Sequence, residues 1–285
     1  MDNYFDVPRE AAGAVSAAST IGEAIQLPFF APVFWWVRGD STVQPDVGSG
    51  VRHFGGWATD ATALEAEGLE IPPYLMQEYF TSDDGKSYAV YACRTLAVAQ
   101  IGIRFRWTIR RNPDGSVDAR DKGRGHVHIL CHSATYDKKA KTYTPWSPVV
   151  LSAKGLSARS LQDAFQTWSR SSAVPRAKMT SNAMANFFWC HVGTFGKEAQ
   201  HEKVGKKGQQ SYISPVQVYI PEDINEEYLK RTFVGREMAE KMGSLAEEAK
   251  EWLHAWDDQR GKGRDDGTSP EPEYDAPPEP VDIPF

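Results

Sequence analysis

The stretch IRFRWTIR, residues 103–110, shows most clearly which kind of fold this sequence encodes. Arg104, Arg106 and Arg110 occupy one parity of the stretch, and Phe105 and Trp107 occupy the other. Because successive side chains of a β-strand point to opposite faces, the alternation predicts a strand with one cationic face and one aromatic face.

Comparable runs of aromatic and β-branched residues, separated by Gly, Asp, Asn and Pro, extend from Leu27 to about Ile220. We expect segments 88–94 and 103–110 to be neighbours in a sheet, and residues 112–124 to form the tip of a long hairpin. The fold class predicted is α+β, mainly β, with a small barrel of five to six strands. The predicted strands are residues 34–38, 87–94, 97–110, 126–133, 144–151 and 214–219.

Composition divides the chain into four parts. Residues 1–25 are rich in Ala, Ser and Gly and predict a flexible N-terminal arm. Residues 26–220 form the predicted β domain, with helical insertions at 157–169 and 181–192. Residues 221–259 alternate charged and apolar residues at helical spacing and predict C-terminal helices. Residues 260–285 contain mostly Asp, Glu, Pro and Gly, which predicts a disordered acidic tail.

The net charge of −6 hides a strong asymmetry along the chain. Residues 86–210 contain 21 Lys and Arg against 7 Asp and Glu, a net charge of +14. Residues 1–85 contain 3 against 13 and residues 211–285 contain 8 against 18, so each flank has a net charge of −10. A basic centre between acidic flanks favours a phosphate-binding domain, although a solvated surface neutralised by the flanks is the alternative.

The cysteines and the apolar runs indicate a reducing, cytoplasmic location. Cys93, Cys131 and Cys190 are odd in number and far apart, so we expect buried thiols and neither disulfides nor a paired metal site. The sequence has no run approaching the roughly 20 apolar residues of a membrane span. The first ten residues include three acids and lack the positive region of a secretory signal.

The C-terminal residues PVDIPF, 280–285, are similar to the acidic tip of bacterial single-stranded DNA-binding proteins, which commonly ends Asp-Asp-Ile-Pro-Phe. Val281 stands where a further Asp is usual, and the body of the chain is longer than in that family. The resemblance suggests a divergent protein of a phage or another mobile element. It also implies a peptide that docks replication and repair proteins, with Phe285 as the apolar anchor, Ile283 and Pro284 beside it and Asp282 as the charged contact.

The resemblance and the strand pattern together predict a barrel like the oligonucleotide-binding (OB) fold, coating single-stranded DNA without sequence preference. Such binding requires cations for the phosphates and aromatic faces for the bases. The predicted phosphate contacts are Arg94, Arg104, Arg106, Arg110, Arg111, Arg120, Lys122, Arg124, Lys138, Lys139 and Lys141. The predicted stacking residues are Trp35, Trp36, Phe54, Trp57, Trp107, Tyr136, Tyr143 and Trp146, and a second basic cluster is Lys197, Lys203, Lys206 and Lys207.

Several alternatives stay open at this point. A recombination protein that anneals complementary strands has the same sequence requirements, a scaffold protein uses only the tail, and self-association into a homo-oligomer is compatible with both. His126, His128 and His132 share one parity of a predicted strand, as zinc ligands can, but no HExxH motif or acidic companion accompanies them. No nucleotide-binding or serine-esterase motif is present. We therefore predict no catalytic residue, no metal and no cofactor.

Overall fold

The computed structural model of the protein describes residues 26–37, 55–81, 87–108, 124–179, 187–195, 202–204 and 211–256. In these residues the fold is mixed α/β, and a nine-stranded sheet curls into a half-barrel. The strands are β1 (Val33–Val37), β2 (Gly56–Asp60), β3 (Met76–Thr81), β4 (Ser87–Cys93), β5 (Thr95–Thr108), β6 (Arg124–Asp137), β7 (Thr142–Lys154), β8 (Cys190–Gly193), β9 (Glu202–Val204), β10 (Ser211–Ile213) and β11 (Gln217–Val218). The helices are α1 (Ala61–Ala66), α2 (Leu156–Met179), α3 (Glu226–Thr232), α4 (Arg236–Glu248) and α5 (Lys250–His254).

The strand order in the large sheet is β11-β8-β5-β6-β7-β1-β2-β4-β3. The long strands β5, β6 and β7 form an antiparallel meander, and β8 returns to pair with β5. β1 runs parallel to β7, which joins the meander to β2, β4 and β3. β9 and β10 form a separate two-stranded hairpin.

The two faces of the sheet are covered by different helices. Alternate residues of β6, including Val127, Ile129 and Cys131, join the main hydrophobic core, to which α2 contributes Leu161 and Phe165. The other parity of β6, from His126 to Ala134, lies on the outer face of the sheet, where α4 and α5 pack. The parity of each strand residue therefore decides which helices it meets.

α5 approaches the sheet closely at a glycine. A methyl group at Gly102 of β5 would lie 2.7 Å from the Leu253 side chain of α5. β5 also has an irregular register between Gln100 and Gly102. Close packing at this point carries α5 over the second half of β5.

The strands predicted at 34–38, 87–94, 97–110, 126–133 and 144–151 correspond to β1, β4, β5, β6 and β7 within a few residues. The helix predicted at 157–169 is the first half of α2. The helix predicted at 181–192 is wrong for its last residues, because 190–192 belong to β8 and hydrogen-bond to β5. Sheet pairing overrides the local helical pattern at this position.

The predicted sheet was too small, and one of its pairings is wrong. Segments 88–94 and 103–110 are not adjacent, because β4 pairs with β2 and β3 whereas β5 pairs with β6 and β8. The sheet has nine strands where five to six were expected, since β2, β3 and β8 had not been predicted. The predicted region 221–259 contains α3, α4 and α5, and α4 and α5 pack on the sheet itself.

All three cysteines are free thiols. Cys131 and Cys190 are buried and Cys93 is partly buried. Burial raises the pKa of Cys190 to about 12, so that thiol is protonated at neutral pH. Across the described ranges, none of the helices has the length and apolar character that a bilayer crossing requires.

Candidate nucleic-acid interface

The turn between β6 and β7 carries an aromatic group beside exposed cations. Tyr136 and Tyr143 are direct partners across the two strands, with ring centroids 4.7 Å apart. The His191 ring of β8 meets Tyr136 edge to face at 5.0 Å, and its Nε2 lies 3.1 Å from the Tyr143 hydroxyl. We call this group the hairpin platform; it consists of Tyr136, Tyr143 and His191 together with the exposed lysines Lys138, Lys139 and Lys141.

Small residues allow the rings of the hairpin platform to lie against the sheet. Ala99 and Ala134 are buried beneath this region, and Trp189 packs against them. Tyr143 stacks on Trp189 with a centroid distance of 5.9 Å and an angle of 16° between the rings. Tyr143 is thus held by a ring contact and a hydrogen bond, and both tyrosines remain partly exposed.

The turn itself has a defined geometry. The Asp137 carboxylate accepts hydrogen bonds from the backbone N–H of Lys139 at 2.7 Å and of Ala140 at 3.0 Å. Lys141 follows with φ of 56°, a conformation that costs a non-glycine residue about 1 kcal/mol. The turn presents three exposed lysines within five residues of Tyr136.

Tyr143 and His191 of the hairpin platform are uncharged at neutral pH. Burial, followed by the nearby Lys138 ammonium, lowers the pKa of His191 to about 4. Burial also raises the pKa of Tyr143, which is therefore a neutral phenol. Neutral rings bordered by cations provide stacking faces and phosphate contacts next to each other.

A second group of residues on the outer face lies beneath the C-terminal helix. The guanidinium carbon of Arg104 is 3.5 Å from the ring centroid of Trp252 and 4.0 Å from that of Trp256. Its Nη1 donates to the backbone carbonyl of Trp252 at 3.0 Å. Arg104 is only 9% exposed, and burial, with a contribution from Arg106, lowers its pKa to about 9. The arginine predicted to contact phosphate therefore fastens α5 to the sheet, and this role corrects the prediction.

Hydrogen bonds define the proton positions on two adjacent histidines. Arg104 donates to His128 Nδ1 from Nη2 at 3.1 Å and from Nε at 3.4 Å. Because a guanidinium only donates, His128 Nδ1 must accept, and the His128 proton is on Nε2. That N–H points at His126 Nε2, 3.0 Å away, which also lies 3.1 Å from the Ser152 hydroxyl. The His126 proton is consequently on Nδ1.

The three histidines of β6 share a face but do not converge. Cys131 points into the opposite core, as the alternation predicted. His132 lies six residues from His126 along the strand, and its Nδ1 donates to the carbonyl of Ser133 at 3.0 Å. In the ranges the structure describes, no three His, Cys, Asp or Glu side chains are arranged to hold a metal ion.

Several predicted stacking residues lie in other environments. Trp57 is 0% and Trp36 is 7% exposed, and their indole N–H groups donate to the carbonyls of Val192 and Ser214. A ring buried in the core has no face free for a base, so both are left out of the interface. Trp146 packs edge to face on Phe34 at 6.4 Å and belongs to the same core side.

The remaining predicted residues are distributed between the surface and the parts not described. Trp35 is partly buried on the outer side of β1, Arg94 is exposed between β4 and β5, and Arg106 is partly buried with its guanidinium 4.5 Å from the Trp256 ring. Trp107 and Arg124 lie on β5 and β6, but their side chains are outside the description. Outside the described residues altogether are Phe54, Arg110, Arg111, Arg120, Lys122, Lys197, Lys206, Lys207, Asp282, Ile283, Pro284 and Phe285.

Sequence reasoning missed several members of these groups. His191 and Trp189 lie in the segment predicted to be helical. Trp252 and Trp256 are four residues apart in the predicted C-terminal helix, a spacing that places two rings on one helical face. That spacing was the one available signal that this helix covers part of the sheet.

Comparisons of this chain with protein-family models, with curated proteins and with solved structures give no match.

Proposed function

We propose that this protein binds single-stranded DNA without sequence preference, through the outer face of the sheet at the β6–β7 turn. The observation that carries the proposal is the hairpin platform, in which the paired rings of Tyr136 and Tyr143 adjoin three exposed lysines. Stacking a base on an aromatic side chain contributes about 1 to 3 kcal/mol and does not depend on which base it is. The lysines supply the phosphate contacts.

The strand order supports this location. The meander β5-β6-β7 is followed by α2, then by β8 pairing with β5 and by β11 pairing with β8. An OB barrel has this connectivity, and it binds oligonucleotides through its second and third strands and through the loops after its first and fourth strands. The corresponding parts here are the β6–β7 face and residues 109–123 and 194–216. β1, parallel to β7, occupies the edge at which an OB barrel would close.

The distribution of basic residues agrees with that assignment. Residues 109–123 include Arg110, Arg111, Arg120 and Lys122, and residues 194–216 include Lys197, Lys203, Lys206 and Lys207. Both segments belong to the part of the chain with a net charge of +14. If the analogy with an OB barrel holds, these two segments and the lysines of the hairpin platform are the three basic parts of the chain expected to meet the ligand, which favours a polyanionic ligand.

The C-terminal tip adds a second part to the proposal. We propose that residues 282–285 recruit replication, recombination and repair proteins to the coated strand, with Phe285 as the anchor. The support is the resemblance of the tip to that of bacterial single-stranded DNA-binding proteins. A short peptide with one aromatic anchor suits weak and reversible binding to several partners.

The first test is a fluorescence-anisotropy titration of labelled oligo(dT), with duplex DNA and RNA as competitors. We expect wild-type protein to prefer the single strand, Tyr136→Ala to weaken binding about 5- to 100-fold, and Tyr136→Phe to retain most of the affinity. Tyr91→Ala is the matched control, because Tyr91 is a partly buried tyrosine of β4, distant in the sheet order. Absence of oligonucleotide binding by the wild-type protein would refute the proposal.

Coating and strand annealing are separated by a second measurement on the same protein. A coating protein slows the pairing of complementary oligonucleotides, whereas an annealing protein accelerates it. Acceleration together with ring or filament formation would assign the chain to the recombination proteins.

A further inference from the structure

Three cationic or polar side chains form a row across the outer face, at the other end from the hairpin platform. Arg106 of β5 is the direct partner of His126 of β6, and His126 is the direct partner of Lys154 of β7. Directly opposed residues point to the same face of a sheet, and neighbouring strands are about 4.8 Å apart. We call Arg106, His126 and Lys154 the basic row.

Two buried donors of the basic row have no acceptor in the part of the chain that the structure describes. His126 is 1% exposed, and its protonated Nδ1 has no hydrogen-bond partner among the described residues. The Arg106 Nε is buried and equally without a partner in the same ranges. An unsatisfied buried donor costs about 1 to 3 kcal/mol, which makes two in one place unusual.

The charges of the row are also uncompensated within the described ranges. Burial lowers the pKa of Arg106. Lys154 is an exposed residue whose ammonium is partly desolvated, and this desolvation, followed by the charge of Arg106, lowers the pKa of Lys154. The ion pairs of the described residues are within or beside the helices, and none of them includes Arg106 or Lys154. Neighbouring cations that repel one another favour an anion between them.

We propose that Arg106, His126 and Lys154 bind one tetrahedral oxyanion, which in the DNA complex is a phosphodiester of the backbone. The anion accepts hydrogen bonds from Arg106 Nε, His126 Nδ1 and the Lys154 ammonium. Trp256, whose ring lies 4.5 Å from the Arg106 guanidinium, holds that side chain in place. The DNA part of this assignment rests on the function proposed above.

The location of the basic row sets a length requirement. His126 and Tyr136 are ten residues apart on β6, a contour of about 33 Å on an extended strand. A single DNA strand must cover this distance to contact both the basic row and the hairpin platform. Loss of the basic row should therefore weaken binding of long oligonucleotides and leave that of very short ones unchanged.

The first experiment uses inorganic phosphate as the probe and does not depend on DNA binding. Thermal unfolding is followed at pH 7.5 in phosphate and in chloride of equal ionic strength. We expect a higher Tm in phosphate for the wild type and for Arg170→Gln, an exposed cation of α2, and no such difference for Arg106→Gln or Lys154→Gln. Asp257 and Asp258 directly follow Trp256 in the sequence but lie outside the described residues; Asp257→Asn/Asp258→Asn is a further variant, and a larger difference in it would indicate that these carboxylates compete for the same cations. An equal effect in Arg106→Gln and Arg170→Gln, or no effect in any of these proteins, overturns the oxyanion site.

The second experiment measures oligo(dT) affinity against salt for the same variants. Removing one cation that binds a phosphate should reduce the slope of log affinity against log salt by about 0.7, for Arg106→Gln and Lys154→Gln but not for Arg170→Gln. If the wild type binds DNA and the slopes of all variants are equal, the phosphodiester assignment is wrong and the proposed function stands. If no variant binds DNA while phosphate still stabilises through Arg106, the proposed function fails and the row serves another oxyanion.

Discussion

At the scale of single residues, Arg104 illustrates how one side chain can be assigned to the correct face and to the wrong role. Alternation placed it on the outer face with Arg106, and the structure agrees. Its guanidinium is nevertheless enclosed by Trp252, Trp256 and His128. A planar cation with five donors suits this position, because it can stack on two rings and donate to two acceptors simultaneously.

Arg104→Lys should consequently destabilise the protein although the charge is kept. A lysine ammonium cannot reproduce the stacked fork and its hydrogen bonds, and we expect a loss of about 2 kcal/mol in the free energy of unfolding. Urea denaturation measures the loss. Arg170→Lys is the control and should change stability by less than about 0.5 kcal/mol. Equal stability of Arg104→Lys and the wild type would argue against this role of Arg104.

At the scale of elements, β6 concentrates buried histidines on one face. Burial is the main cause that lowers the pKa of His126 to about 3 and that of His132 to about 4, and it lowers the pKa of His128 as well. His128 has a second reason to stay neutral, since its Nδ1 faces the donors of Arg104. The strand therefore carries imidazoles that the folded protein keeps uncharged.

This arrangement predicts acid sensitivity with a definite sign. The unfolded chain binds protons on these histidines below their ordinary pKa of about 6.5, whereas the folded chain does not until the pH falls toward 4 or 3. The contribution of these neutral histidines to the free energy of unfolding is thus fully present above about pH 6.5. It decreases as the pH falls, by up to about 1.4 kcal/mol per pH unit for each histidine. Thermal unfolding between pH 7.5 and 5 measures the decrease, which His132→Gln should reduce. A Tm that stays constant over this range would contradict the prediction.

Element boundaries also show why part of the candidate site escaped prediction. β8 has four residues, too few for a clear alternation, and it pairs with β5 across more than 90 positions of sequence. His191 reaches Tyr143 through that pairing, 48 residues away in the chain. Tyr136, Tyr143 and the lysines between them could be named as candidates from the sequence, because these residues are close together along the chain.

At the scale of the whole molecule, opposite charges lie on different parts of one chain. Residues 265–285 contain seven acidic side chains and no Lys or Arg, against a net charge of +14 in residues 86–210. If the basic part of the chain binds DNA as proposed, an acidic segment attached to it should compete with DNA at low ionic strength, where screening is weak. The effect should diminish as salt is added.

Deletion of residues 265–285 is therefore expected to tighten oligo(dT) binding at low salt and to have little effect at about 0.5 M salt, where the Debye length is short. Anisotropy titrations of the full chain and of the deleted chain at several salt concentrations provide the measurement. A chain in which the seven acids are replaced by their amides should behave like the deletion. Unchanged affinity at low salt would show that the acidic segment does not compete.

From the amino-acid sequence it was possible to predict the strands β1, β4, β5, β6 and β7, the shared parity of Arg104 and Arg106, that of the β6 histidines, and the grouping of Tyr136 and Tyr143 with the lysines between them. These features follow from the two-residue period of side chains along an extended backbone and from the residue types that favour turns. Both signals are visible in a stretch of a few residues. The three-dimensional packing was needed to show that Trp36 and Trp57 fill the core, that α5 encloses Arg104, and that His126 lies between Arg106 and Lys154. Those features depend on which distant segments pack together. That packing is determined by the burial of apolar side chains along the whole chain, and no local pattern contains it.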